Sequence, residues 1–355
     1  VTVELPTGRT RSRSRTVRAP GGLSLRAEPR ALLTGLLLAA AAAALSVVLI
    51  GTGDFEIAPA DVVQTLLGNG TPAQDFIVND LRLPRVLVAL LVGAALGMAG
   101  AVFQSVSRNP LGSPDLLGFG YGSVVGALLV IVLFKGGATA VAGGALVGGL
   151  VTGVLIYVLS YKRGIHGYRL VLVGIGASAM LIAGIQWLLT KAQFIEATRA
   201  MVWLTGSLAG RDWSQVWPLL GTCAVLFPLV LSQGRALRIA EMGDDAAYAL
   251  GVRVERMRML LMLAAVLLTT AAAAAAGPIS FVALAAPQLA RRLTRSPGSN
   301  LATGALMGSV LLLLSDWASQ RAFGADQLPV GVLTGLVGGA YLLWLLVTER
   351  RAGRI

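Results

Sequence analysis

Ten apolar runs separated by short charged islands leave this chain few ways to fold. They cover 31–50, 84–104, 116–134, 138–160, 168–190, 213–232, 258–276, 279–293, 301–319 and 328–348. Most approach the roughly 20 residues that cross a hydrocarbon core as a helix. Within such a core the backbone polar groups have to bond inside the protein, so runs of this length imply helices. The expected fold is all-α, a polytopic membrane bundle of about ten transmembrane helices over 31–355, behind a basic tail at 1–30. Charged residues make up only 13% of the chain and the mean hydropathy is +0.76, against about 25% charged residues in soluble domains.

The formal charge of +12 would suggest nucleic acid in a soluble protein. Here the basic residues flank apolar spans, which is the pattern of loops facing the cytoplasm and excludes a nucleic-acid partner. The tail carries seven arginines (Arg9, Arg11, Arg13, Arg15, Arg18, Arg26 and Arg30) against Glu4 and Glu28, among Ser, Thr, Gly and Pro, a composition expected to stay disordered. An even span count puts both termini on one side, and the Arg-rich tail and the segment Glu349–Arg354 place that side in the cytoplasm. Alternate loops then hold Arg108; Lys162, Arg163 and Arg169; Arg235, Arg238, Arg253, Arg256 and Arg258; and Arg291, Arg292 and Arg295. The first outer loop has the opposite bias, with Asp54, Glu56, Asp61, Asp75 and Asp80 against Arg82 and Arg85.

One polar interruption, Glu241 to Val252, has the marks of a docking element. Asp244 and Asp245 suit a helix N-terminus, Ala246 to Leu250 favour helix, and Gly251 supplies the left-handed residue that ends it. A short capped helix between two spans can pass force from a soluble partner into the bilayer. Glu241, Gly243, Asp244, Asp245, Ala246, Tyr248, Leu250 and Gly251 form the candidate contact.

Small residues recur four apart at Gly93 and Gly97, Gly118 and Gly122, Gly149 and Gly153, Gly304 and Gly308, and Gly331, Gly335 and Gly339, a spacing that lets helix backbones approach closely. Gly277, Pro278 and Pro287 bracket and interrupt the eighth run. A proline frees a carbonyl that must be buried in protein or face a cavity, so this segment is either a simple kink or a hinge.

Several chemistries are missing. The chain has three lysines, Lys135, Lys162 and Lys191, and none follows a glycine, so no phosphate-binding loop of the Gly-Lys type can be written. Cys223 is the single cysteine and His166 the single histidine, which leaves no disulfide and no cluster of metal ligands; His166 is expected at the surface. Asp316 is the one carboxylate deep in an apolar run and, without a second, is expected as an outer helix-end or docking-surface residue. A carrier driven by an ion gradient would show ionisable residues near the midplane, and the spans are nearly free of them.

Several blocks resemble the FecCD-type permease subunits of binding-protein-dependent ABC importers for ferric siderophores, haem and vitamin B12. They are Leu81-Arg-Leu-Pro-Arg85 leading to Gly93, Gly97 and Gln104; Arg108-Asn-Pro-Leu-Gly-Ser-Pro-Asp-Leu-Leu-Gly118; Gly206-Ser-Leu208; Gly243 to Gly251; Gly277-Pro-Ile-Ser-Phe-Val282 with Ala286-Pro287; and Leu328-Pro-Val-Gly-Val-Leu-Thr334. The resemblance covers nearly all of the chain after the tail. It implies a type II importer: half of a twenty-span dimeric pore in the bacterial inner membrane, with two ATPase subunits below it and a solute-binding protein above. The chain itself would be no enzyme, and ATP and Mg would sit on the partner ATPase.

By the same resemblance Glu241 to Val252 meets the ATPase, and Arg82 and Arg85 meet acidic residues of the binding protein. A third family arginine falls on Gln320, with Arg321 beside it, so Arg321 carries that docking role less directly. The fifth span lines the family's pore, and Gly174, Gly176, Ser178 and Gln186 offer small and polar surface for it; ordinary helix packing explains the same residues. Pro287-Gln288, Gln327 and Gly338-Gly-Ala-Tyr341 depart from common family residues and are similar to the second permease of ferric-enterobactin-type systems. That branch implies a heterodimer with a related chain, a symmetric homodimer being the other arrangement. The expected cargo is a ferric siderophore; haem, cobalamin and an ion-gradient carrier are the alternatives.

Overall fold

A computed structural model describes residues 15–18, 24–27, 29–53, 55–115, 118–161, 167–296, 298–321 and 328–351. In chain order the helices are α1 (Pro29–Gly51), α2 (Pro59–Leu66), α3 (Pro72–Asp75), α4 (Leu83–Ser107), α5 (Phe119–Val132), α6 (Ala138–Ser160), α7 (Gly167–Lys191), α8 (Phe194–Leu204), α9 (Trp213–Ser232), α10 (Gly234–Ala240), α11 (Asp244–Ala249), α12 (Val254–Ala276), α13 (Val282–Thr294), α14 (Leu301–Arg321) and α15 (Val330–Arg351). A π-helical stretch, Phe76–Arg82, joins α3 to α4. Within the tail expected to be disordered, two short strands, Arg15–Arg18 (β1) and Ser24–Ala27 (β2), pair antiparallel with Arg15 opposite Ala27. A ribbon that small has little stability of its own, and the rest of the tail lies outside the described residues, as do His166 and Gln327.

Among the described residues, seven helices are long and apolar enough to cross a membrane: α1, the continuous helix Pro72–Ser107, α6, α7, α9, α12 and α14. The other three apolar runs form shorter pieces. α5 has 14 residues, about 21 Å at 1.5 Å per residue, short of a core about 30 Å thick. It starts late because Gly118, at φ 88°, breaks the run at its N-terminus. α13 has 13 residues, since Gly277 ends α12 at φ 76° and Phe281 turns the chain again at φ 68° before the helix begins. The apolar part of α15 spans Val330–Trp344.

The centre of the bundle is α4, α12 and α14. In their most apolar windows 78%, 72% and 61% of residues are buried, against 22% for α1, α7 and α9. Glycine sets the closest approach. A Cβ at Gly93 or Gly97 would overlap the carbonyl of Gly308 or Gly304, and one at Gly308 would overlap that of Gly93. The two pairs read from sequence therefore mesh across α4 and α14, and Gly126, Gly144 and Gly148 do the same between α5 and α6. Ser309 donates to the Leu90 carbonyl at 2.8 Å across the first of these seams.

Prolines are accommodated one by one. Pro84 opens α4 without an amide donor, and the preceding turn widens to a π-helix, the usual response to a broken ladder. Trp213 Nε1 donates to the Asn79 carbonyl of that turn at 3.1 Å. Inside α13, Pro287 frees the Ala283 carbonyl, which lies so close to Gly100 of α4 that a Cβ there would collide with it. The next carbonyl, Leu284, accepts from Gln104 Nε2 at 3.0 Å, and Gln288 Nε2 donates to Gln104 Oε1 at 3.2 Å.

Candidate functional site

Three places in the bundle collect the polar chemistry: the two ends of α4 and a cavity between them.

At the C-terminal end of α4, α11 is a six-residue helix with Asp244 and Asp245 in its first turn. Gly243 precedes it at φ 124° and Gly251 follows at φ 78°, conformations that glycine tolerates. Asp244 faces inward. Its Oδ2 accepts from Arg258 Nη1 at 3.0 Å and its Oδ1 from Arg258 Nη2 at 2.8 Å, a bidentate pair. Arg108 Nη2 also donates to Oδ1, and to the Ala240 carbonyl at the end of α10 at 2.7 Å. Burial opposes ionisation of Asp244, but the Arg258 and Arg108 guanidiniums outweigh it and hold the carboxyl below its ordinary value. Ala247, on the inner face of the same helix, is fully buried. Met242, Asp245, Tyr248 and Leu250 are exposed, Met242 to 76%. The element thus has an inner face clasped by two arginines and an outer face that is largely apolar. Glu241 lies in the turn after α10 and Ala246 is half-buried.

At the opposite end of α4, Arg85 grips Asp316 of α14 with Nε to Oδ2 at 3.1 Å and Nη2 to Oδ1 at 2.8 Å. Gln320 Nε2 adds a bond to Oδ2 at 2.9 Å. Asp316 is 0% exposed, which corrects its expected place on a docking surface: its oxygens are filled from within the bundle. Arg82 reaches back to the end of α1, donating Nη1 to the Ile50 carbonyl and Nη2 to the Phe55 carbonyl, both at 2.7 Å. Both arginines expected to await a partner therefore have structural bonds as well. Arg321 is exposed at the end of α14.

Between the two ends lies a cavity of about 550 Å³. Gln186 of α7 lines it, as do Gly277 and Pro278 at the break between α12 and α13. Gly277 has no room for a side chain, since a Cβ would overlap the Trp203 carbonyl. Pro287 is buried inside α13. The four residues expected along the pore separate here. Ser178 Oγ bonds the Gly174 carbonyl at 2.8 Å, and both residues pack against Gly118 at the start of α5, whereas Gly176 is exposed with open space beside it.

Asp115, in the loop between α4 and α5, is the one charged side chain among the described residues lining the cavity. Burial pushes its carboxyl up to about 6, against the lowering effect of a Ser113 hydroxyl 3.4 Å away. Sequence reasoning missed Asp115, and it counted Arg108 and Arg258 only as interfacial charge. Their signal was their position: each falls just beyond or just inside the end of a long apolar run, within reach of the polar interruption.

The FecCD transport family pattern matches residues 31–348, the whole bundle from α1 into α15. The chain belongs to that family. A ferric enterobactin transport system permease of Escherichia coli, FepG, is 46% identical over 322 residues, 91% of this chain and 98% of that one. An Fe(3+)-citrate import system permease of Bacillus subtilis, YfmE, is 38% identical over 328 residues, 92% of this chain and 98% of its own length. Among solved structures, a metal-chelate type ABC transporter in an inward-facing conformation superposes with a TM-score of 0.79 at 26% identity, covering 90% of this chain and 99% of that chain. As a member of the FecCD family, the chain is a multi-pass membrane protein of the permease class.

Proposed function

We propose that this chain is the transmembrane permease subunit of an ATP-driven, binding-protein-dependent importer of a ferric siderophore. The observation that carries the reading is the 46% identity to a ferric enterobactin permease across 98% of that protein's length. A match that long includes the bundle, the kinks and the docking element together. ATP and Mg belong to two ATPase subunits that receive the outer face of α11, where Met242, Asp245, Tyr248 and Leu250 stand exposed. A second, related permease completes the pore as a heterodimer, its cargo passing the exposed Gly176 and Gln186 of α7. A solute-binding protein docks at the opposite end, beside Arg82, Arg85 and Arg321.

In this arrangement α5, α13 and α15 join the seven long helices to make ten spans, with both termini in the cytoplasm of a bacterial inner membrane. Gly277, Pro278 and Pro287 serve as the hinge. Import follows from alternating access: ATP binding and hydrolysis shift the populations of two states of the bundle, and the weakly lined cavity releases a large chelate instead of gripping it.

Uptake of a radio-iron siderophore, compared in cells with and without this chain and with and without the associated ATPase gene, tests the reading. Uptake is expected to need both and to survive a protonophore for as long as cellular ATP is maintained. Uptake that continues without any ATPase, or that collapses with the proton gradient at constant ATP, overturns it.

A further inference from the structure

The inner face of α11 has a task distinct from that of the outer one. This six-residue helix buries its own Ala247, and among the described residues its side-chain bonds to other elements are those of Asp244, whose two partners belong to or adjoin the central helices α12 and α4. Arg258 lies in the second turn of α12 and is 8% exposed. Arg108 follows the last residue of α4 in a left-handed conformation, φ 51°, which turns its side chain back toward α10 and α11. α12 and α4 are the two most buried of the long helices.

A carboxylate held by two guanidiniums, one of them bidentate, resists both displacement and rotation, because the planar fork fixes the angle as well as the distance. Arg108 binds the Ala240 carbonyl too, so the end of α10 and the start of α11 move together. We infer that Arg258 and Arg108 are positioning residues for energy coupling: through Asp244 they make α11, α4 and α12 one rigid unit, so that a displacement imposed on α11 becomes a displacement of the core helices and not a local bend of the loop. Arg258 is buried beneath that contact, and Arg108, although exposed, turns its guanidinium inward to Asp244 and the Ala240 carbonyl.

This inference rests on the reading of α11 as the ATPase contact, and the test separates the two. The complete importer is purified from membranes carrying Arg258→Ala, Arg258→Lys, Arg108→Gln or Asp244→Asn, and in parallel an outer-face variant, Leu250→Asp with Tyr248→Asp. ATPase copurification, ATP turnover and iron transport into vesicles are measured for each. Arg258→Ala is expected to retain the ATPase and to hydrolyse ATP, while the ATP consumed per iron moved rises about tenfold, within the range of typical coupling energies. Arg258→Lys, which keeps charge without the fork, is expected to restore part of the ratio, and Asp244→Asn and Arg108→Gln to raise it by smaller factors. The outer-face variant is expected to lose the ATPase.

An unchanged ratio of ATP to iron in Arg258→Ala overturns the inference. Where Arg258→Ala fails to accumulate, Arg108→Gln decides in its place, since that side chain is 44% exposed and its loss leaves no buried gap. An outer-face variant that keeps its ATPase overturns the reading of α11 itself, whatever the clasp variants do.

Discussion

Arg85 and Asp316 show how a single residue's environment decides its role. Removing Arg85 leaves a carboxylate with no exposure and, among the described residues, one remaining side-chain donor, Gln320. Breaking a buried pair from one side costs about 3–5 kcal/mol, while replacing both members by apolar residues costs far less. Arg85→Ala is therefore expected to lower the melting temperature of the detergent-purified complex more than Arg85→Met combined with Asp316→Leu, as measured by differential scanning fluorimetry; equal losses would show that the pair is not the cause. Asp115 gives a pH-dependent case. Its carboxyl rises from 3.8 to about 6 in the folded chain, so the folded state binds the proton more tightly than the unfolded one. Stability then falls as pH rises from about 4 through about 6. Asp115→Asn is expected to flatten that part of the melting curve against pH, and a slope that persists in the variant assigns it to another group.

At the scale of elements, the seam between α4 and α14 is where spacing in the sequence told most. Gly93, Gly97, Gly304 and Gly308 were legible as close-packing pairs because backbone contact within a membrane needs small residues four apart. Which helix each pair meets was not legible, since the same spacing recurs on several runs and only the folded chain chooses among them. The starts of α5 and α13 were hidden for a different reason: Gly118 and Phe281 break helix by their φ angles, and neither changes the hydropathy of its run. The short helix α11 was legible from Asp244, Asp245 and Gly251, but its inward clasp was not, because Arg258 and Arg108 lie 14 and 136 residues from Asp244. Gly308→Val is expected to cost about 1–3 kcal/mol or more through overpacking against the Gly93 carbonyl, read as lost accumulation and a lower melting temperature. Gly176→Val meets open space. It is expected to leave the melting temperature within a degree or two of the parent's while lowering iron uptake; a matching drop in stability would place Gly176 in a packed seam instead of along the passage.

At the scale of the whole molecule, burial divides the bundle into an inner set, α4, α12 and α14, and an outer set, α1, α6, α7 and α9, whose apolar surfaces turn outward. Such surfaces are stable in lipid or against another helix, not in water, so the orientation of the bundle can be fixed only by what lies at its two ends. The clasped α11 and the Arg82–Arg85 turn occupy opposite ends of α4, and the proposed function assigns the α11 end to the cytoplasm, the side that an excess of Lys and Arg in short loops marks. The chain offers a simple way to check this, because Cys223 is its single cysteine and is buried. In a Cys223→Ala background, one cysteine at a time is introduced at Asp245, at Asp80 and at Thr7, and intact cells and inverted vesicles are treated with a membrane-impermeant maleimide. Asp245→Cys and Thr7→Cys are expected to label only in inverted vesicles, and Asp80→Cys only in intact cells. Labelling of Asp245→Cys from outside would reverse the bundle and remove α11 from reach of any ATPase, and labelling of Thr7→Cys on the side opposite Asp245→Cys would make the number of crossings between them odd where five helices beyond α1 require it to be even.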